Sequence, residues 1–178
     1  KKKKVGQNRD SQGLSEYSIA ASATAIFQND PVEMLATGTI GVAAAGDVLL
    51  GSLNGVFFTD ASTSKPTFAN HLKGSNTATD IIGFVSDDPY ERFEVQSNNT
   101  GASAQTDIGN VANIEYTAGS APNFVSKVEL DDSDLATTDG QLKVIGVSKD
   151  PSNNDLSSAN VNFVVTINEH FLKQEAGI

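Results

Sequence analysis

Apolar and polar residues alternate in short bursts along this chain, and turn-forming residues cut the bursts apart. Val161, Phe163, Val165 and Ile167 stand at every second position of Asn160–Asn168, which puts all four side chains on one face of a strand. Arg92-Phe93-Glu94-Val95-Gln96 alternates in the same way and groups Phe93 with Val95. Asp80–Ser86 is a more continuous apolar run of the buried-strand type. Asp87-Asp88-Pro89 ends it, because the residue before a proline is pushed out of the helical region. Asn54-Gly55 separates Val48–Leu53 from Val56-Phe57-Phe58-Thr59. That pair tolerates positive φ at both central positions of a type I′ turn and predicts a hairpin. Asp139-Gly140 gives a second hairpin signal before Leu142–Val147. Further strands are predicted at Val32–Leu35, Thr39–Ala43, Ile114–Tyr116, Val125–Leu130 and Gln141–Ser148. Asp60–Gly74 and Ser97–Asp107 read as loops. No segment holds a 3.6-residue period over three turns.

About ten short strands, with turn signals roughly every 8 to 15 residues, predict an all-β fold, a barrel or a sandwich. The expected core comprises Ile26, Phe27, Leu50, Phe57, Ile82, Phe84, Phe93, Val95, Val144, Val147, Phe163, Val165 and Ile167. Residues 1–13 lack periodicity and read as a flexible basic N-terminal arm, and 14–178 as a single β domain.

Composition sharpens this picture. Only 38% of the 178 residues are apolar and 19% charged. Ser, Thr, Asn, Gly and Ala fill the rest, which suits strand faces and turns rather than a helical bundle. The net charge of −10 is unevenly placed. Lys1, Lys2, Lys3, Lys4 and Arg9 take five of the 12 basic residues, and Asp10 one of the 22 acidic ones. The remainder therefore carries seven basic and 21 acidic residues, a net of −14. So acidic a body repels nucleic acid and anionic lipid, so neither DNA, RNA nor membrane is an expected partner. The five basic residues of the arm are the candidate partner-binding positions. No apolar stretch reaches the roughly 20 residues that span a bilayer, and the Lys-rich start lacks the apolar segment of a secretion signal.

Candidate chemistry is sparse. There is no Cys, which excludes disulfides, thiolate nucleophiles and zinc ribbons. His71 and His170 are the two histidines; no G-x-S-x-G elbow accompanies them and no H-E-x-x-H occurs. Phosphate-binding glycine loops are absent. Asp131-Asp132-Ser133-Asp134 fails the EF-hand spacing and reads as a solvated acidic loop. With no Trp and three Tyr, the aromatic platforms of a glycosidase are missing. The expectation is a protein that is not an enzyme and uses no metal or cofactor.

Three stretches in order carry a resemblance. They are Ala25-Ile26-Phe27-Gln28-Asn29-Asp30-Pro31-Val32, Val85-Ser86-Asp87-Asp88-Pro89-Tyr90-Glu91-Arg92-Phe93-Glu94-Val95-Gln96, and Thr166-Ile167-Asn168-Glu169-His170. With Gly55–Asp60 and Leu142–Val147 between them, Tyr17–His170 resembles the head decoration, or cement, proteins of tailed phages of the marine type. The resemblance implies a β-barrel or β-tulip-like domain on the outer surface of the phage head. It also implies a homotrimer that bridges and stabilises subunits of the major capsid protein. The alternative class is a receptor- or glycan-binding β-sandwich of a virion fibre or tail.

Overall fold

In a computed structural model of the chain, residues 13–174 are described. Their regular elements are twelve strands and three single-turn 3-10 helices. The strands are β1 Leu14–Ser18, β2 Pro31–Met34, β3 Ile40–Val42, β4 Leu49–Thr59, β5 Pro66–Ala69, β6 Ile82–Ser86, β7 Arg92–Gln96, β8 Val111–Ala112, β9 Ile114–Glu115, β10 Glu129–Leu130, β11 Leu142–Val147 and β12 Asn162–Ile167. The all-β expectation holds.

The strands form three sheets, and every strand pair is antiparallel. The largest runs β1-β6-β4-β2-β3, with β5 added beside the far half of β4. A four-stranded sheet runs β7-β12-β11-β8, and β10 pairs with β9. Among the described residues each sheet has two free ends and none closes on itself, so the barrel expectation does not carry over.

The alternating stripe of β12 behaves as the sequence predicts. Val161, Phe163, Val165 and Ile167 are all buried and, with Leu142, Val144, Ile114 and Leu130, form the core of the four-stranded sheet. A second core lies under the six-stranded sheet, built from Ile26, Val32, Ile40, Leu50, Leu53, Val56, Leu72, Ile81 and Val85. Adjacent Leu49 and Leu50 point to opposite faces of β4; Leu49 enters the first of these cores and Leu50 the second. The start of β4 is therefore covered on both sides.

Buried Gln141 ties the two sheets together. Its Oε1 accepts the Ile114 N–H (3.0 Å), and its Nε2 donates to the carbonyls of Ala44 (2.8 Å) and Asp47 (2.7 Å). Those carbonyls lie in the turn that leads into β4. The Leu49 N–H adds a bond to the Glu169 carbonyl at 3.0 Å.

Several expectations need correction. Asn54-Gly55 does not turn the chain: β4 runs through it as one 11-residue strand, with a bulge opposite β6 between Leu53 and Gly55. Neither residue has positive φ. Glycine serves close approach here, since a Cβ on Gly55 would stand 3.0 Å from the Ala69 carbonyl oxygen of β5. Strand partners on both edges of β4 outweigh a local turn preference. Asp139-Gly140 likewise joins no paired strands, although Asp139 does adopt positive φ. Asp60–Gly74 is not all loop, because Pro66–Ala69 forms edge strand β5, where a proline costs no ladder bond at the strand start. Of Val125–Leu130, only Glu129 and Leu130 are strand.

Candidate functional site

Two surfaces stand out, one aromatic and one made of backbone. The first is the outer face of the six-stranded sheet. In the register of β4, β5 and β6, Phe57 lies opposite both Phe68 and Ile82. Phe84 lies two residues from Ile82 and so on the same face. Gly83 and Val85, between and beyond them, are buried in the core. Phe57, Ile82 and Phe84 are half-buried and belong to neither core. Phe68 is 74% exposed, and its ring lies 4.8 Å from that of Phe57.

Phe57, Ile82 and Phe84, expected in the core, are thus on the opposite face of their strands. Phe27, Phe93, Val95 and Val147 are also only half-buried. Ile26, Leu50, Val144, Phe163, Val165 and Ile167 are buried as expected. The sequence did carry a signal for the outer row. Consecutive phenylalanines in one strand cannot both face one core, and the run Ile81–Val85 is apolar at both parities.

The second surface is a cavity of about 450 Å3 at the junction of the two large sheets. One wall is the whole of β7. The opposite wall is Val125, Ser126 and Val128, with Asn29, Pro31 and Ser52 beside it, and Ile114, Leu142, Val165 and Ile167 line the interior. Among the described residues strand β7 pairs with β12 alone. Ser97 donates to the Val161 carbonyl at 3.0 Å, and the register places Val95 opposite Phe163 and Phe93 opposite Val165. Antiparallel partners exchange bonds at every second residue, so the N–H and C=O of Phe93 and Val95 face β12. Those of Arg92 and Glu94 face the cavity, and they make no hydrogen bond among the described residues. The cleft is closed at its Gln96 end, where Ser97 bridges to Leu130 and the Asn98 N–H donates to the Leu130 carbonyl (3.0 Å).

The opposite wall is fixed from behind. Ser126 donates to the Gln28 carbonyl (2.7 Å), and Gln28 donates to the Phe124 carbonyl (3.2 Å). The Phe124 ring is stacked on the His71 imidazole with centroids 4.0 Å apart. His71 is therefore a packing residue, pushed below the ordinary histidine range by burial and then by Lys73. Asp30 is fully buried behind this wall, where its Oδ2 accepts the Phe27 N–H at 2.8 Å. Burial raises its carboxyl pKa, while the nearby Ser126 hydroxyl, the bond from the Phe27 N–H and the Tyr116 hydroxyl pull it part of the way back. The Tyr116 hydroxyl is in turn pushed up to about 12, chiefly by burial and then by the Asp30 charge.

His170 is also fully buried, and its Nδ1 accepts the Leu172 N–H at 3.1 Å. Burial and Lys173 lower its pKa, against the opposing pull of Asp87 and Asp88. It caps the 3-10 turn Phe171–Lys173. Asp131, Asp132 and Asp134 are not simply solvated. Asp131 accepts from Ser133, Asp132 from the Ser97 hydroxyl, and Asp134 from the backbone and side-chain amides of Asn113. Such loops satisfy neighbouring N–H groups with their own carboxylates. Among the described residues no group of three or more His, Cys, Asp or Glu side chains is placed to hold a metal ion, nor is any helix long and apolar enough to cross a membrane. The candidate partner residues Lys1, Lys2, Lys3, Lys4 and Arg9 lie outside the described residues.

Comparison with protein-family models, with curated proteins and with solved structures finds no match for this chain.

Proposed function

We propose that this protein is a non-enzymatic structural component of a virion, a decoration protein that bridges neighbouring major capsid protein subunits of a tailed-phage head. In this reading the two large sheets act as a β-sandwich carrying a basic N-terminal arm, and the active form is a homotrimer. The observation that carries it is the apolar, largely aromatic row Phe57, Phe68, Ile82 and Phe84 on the outer face of the six-stranded sheet. A contiguous apolar patch on an acidic protein marks a protein-contact site. The ordered motifs from Ala25 to His170 supply the choice of a phage head, and a trimer would multiply individually weak contacts through effective concentration.

The test is a native mass of the isolated protein, followed by sedimentation with phage heads stripped of their decoration. A trimer that co-sediments with the heads, and a Phe68→Ser variant that no longer does, is the expected result. A wild-type protein that stays in the supernatant of heads from every tailed phage tried would sink the capsid assignment. A Phe68→Ser variant that co-sediments like wild type would remove the aromatic row from it.

A further inference from the structure

We propose that the cleft between β7 and the 125–128 segment is an acceptor site for one extended segment of a partner polypeptide, apolar at alternate positions and flanked by basic residues. This goes beyond the capsid reading, because it concerns another surface and holds for any partner protein.

The hydrogen-bonding edge sets the class of ligand. Arg92 and Glu94 each present an N–H and a C=O toward the cleft, and these groups make no hydrogen bond among the described residues. Two such residues in one strand stand about 6.6–6.8 Å apart, the repeat of an added strand and of little else. The interior sets the side-chain pattern. Phe93, Val95, Ile114, Leu142, Val165 and Ile167 line it, so an incoming strand has every second side chain in an apolar space and the alternate ones in water. A volume of about 450 Å3 is of the size that ligand pockets commonly have.

The site is preformed. Strand β7 is held by β12, the facing wall by Gln28 and Phe124, and the two meet at Ser97 and Leu130. Because the closed end is fixed, an incoming segment enters from the Arg92 end. Charge chooses the flanks. Arg92 and Glu94 both line the cleft and balance each other there, so the net charge of −14 on the body beyond the first ten residues sets the long-range field. A segment with Lys or Arg at its ends is attracted, and an acidic one is repelled. The side chains of Arg92 and Glu94 lie on the polar outer face of β7, so they contribute charge at the rim without filling the interior.

The probe is an eight-residue peptide of alternating Val and Thr with Lys at each end, capped at both termini and added to the full chain. Its readout is amide hydrogen exchange. In the free protein the Arg92 and Glu94 amides should exchange fast, while those of Phe93 and Val95 are protected by β12. Peptide at ten times its dissociation constant should slow Arg92 and Glu94 about tenfold. The same peptide N-methylated at alternate residues should not. Glu94→Pro removes the central donor, which β12 does not use, and should abolish binding; Glu94→Gln keeps the backbone donor and should retain it. Slow exchange at Arg92 and Glu94 in the free protein would overturn the proposal, because another part of the chain or a second copy would then hold the edge. So would an N-methylated peptide that protects as well as the parent, or no protection by the parent peptide at any soluble concentration.

Discussion

One face of the six-stranded sheet behaves in two ways along its length. Near Leu49 and Ser52 it is covered: Leu49 enters the core of the four-stranded sheet and Ser52 lines the cleft. Further along, the same face carries Phe57, Ile82, Phe84 and Phe68, and neither core reaches them. The four-stranded sheet has no such second apolar region. Its outer face presents Arg92, Glu94, Gln96, Lys143, Asn162 and Thr166 around two aliphatic residues, Val164 and Val111, and carries no aromatic ring. A sheet that is polar outside is complete with one covering layer. A sheet that is apolar on both faces has its second face reserved for a contact outside the chain.

The most severe way to break this division is to hollow out the completed side. Phe163 is fully buried, and Phe163→Ala should cost about 3–5 kcal/mol in urea unfolding. Phe57→Ala removes the same atoms from a half-buried ring outside both cores, and should cost about 1–2 kcal/mol by loss of partial burial. Equal costs would mean that the outer row is as much a core as the inner one. Next in size is the link between the sheets. Gln141→Leu leaves the Ile114 N–H and the carbonyls of Ala44 and Asp47 without the partner they now share. At about 1–3 kcal/mol for each buried group left unsatisfied, after partial relaxation, the expected loss is about 3 kcal/mol. A loss under about 1 kcal/mol would show that the turn before β4 and the four-stranded sheet are held together by apolar contact alone.

These two regions were not equally legible in the sequence. At Val161–Ile167 four apolar residues hold one phase against Val164 alone in the other, and those four are buried. The run Ile81-Ile82-Gly83-Phe84-Val85 admits both phases. The expected core takes the phase of Ile82 and Phe84, whereas the fold buries Ile81, Gly83 and Val85. Asn54-Gly55 misled because its turn propensity is permissive, and the pairing of β4 on both edges decides the matter. Edge strands β1 and β5 were missed for a related reason: Leu14–Ser18 and Pro66–Ala69 are short and polar, and their partners supply the order. The open edge at Arg92 and Glu94 has no local signature at all. It arises because, among the described residues, the bridge to Leu130 of β10 forms at Ser97, just beyond the end of β7, which no pattern within Arg92–Gln96 encodes.

A smaller effect comes from pH. Burial lowers the pKa of both His170 and His71, so the unfolded chain takes up protons that the native chain refuses as pH falls through about 6.5. Stability should therefore decline from pH 7.5 toward pH 5. The slope is at most about 1.4 kcal/mol per pH unit for each site, and less for part-exposed His71, whose charge water screens. Asp30 has the opposite sign. Its raised pKa makes the native state bind a proton first, which returns some stability as pH drops toward the ordinary carboxylate value. Urea titrations at pH 7.5, 6.0 and 5.0 should show a shallower decline for His170→Asn than for wild type. An unchanged slope would locate the acid sensitivity away from the segment that joins β4 to the end of β12.

The smallest effect on folding should come from the residue that matters most to the comparison. Phe68 sits on edge strand β5 with 74% of its surface exposed and one ring neighbour, Phe57, at 4.8 Å. Little area is withdrawn from water there, so Phe68→Ser loses only a partial aromatic contact, worth about 0.5–1 kcal/mol. Strand β5 itself is held by the register from Val56–Ala69 to Thr59–Pro66, which does not depend on that side chain. The melting temperature should therefore move by only a few degrees, since about 1 kcal/mol corresponds to about 2–4 °C in a domain of this size. If the uncovered face is a contact surface, the same substitution should abolish self-association or partner binding, as read by native mass, while leaving the urea midpoint nearly unchanged. A large loss of stability with intact association would reverse the comparison: the aromatic row would then be holding β5 to the fold, and the contact surface would have to lie elsewhere.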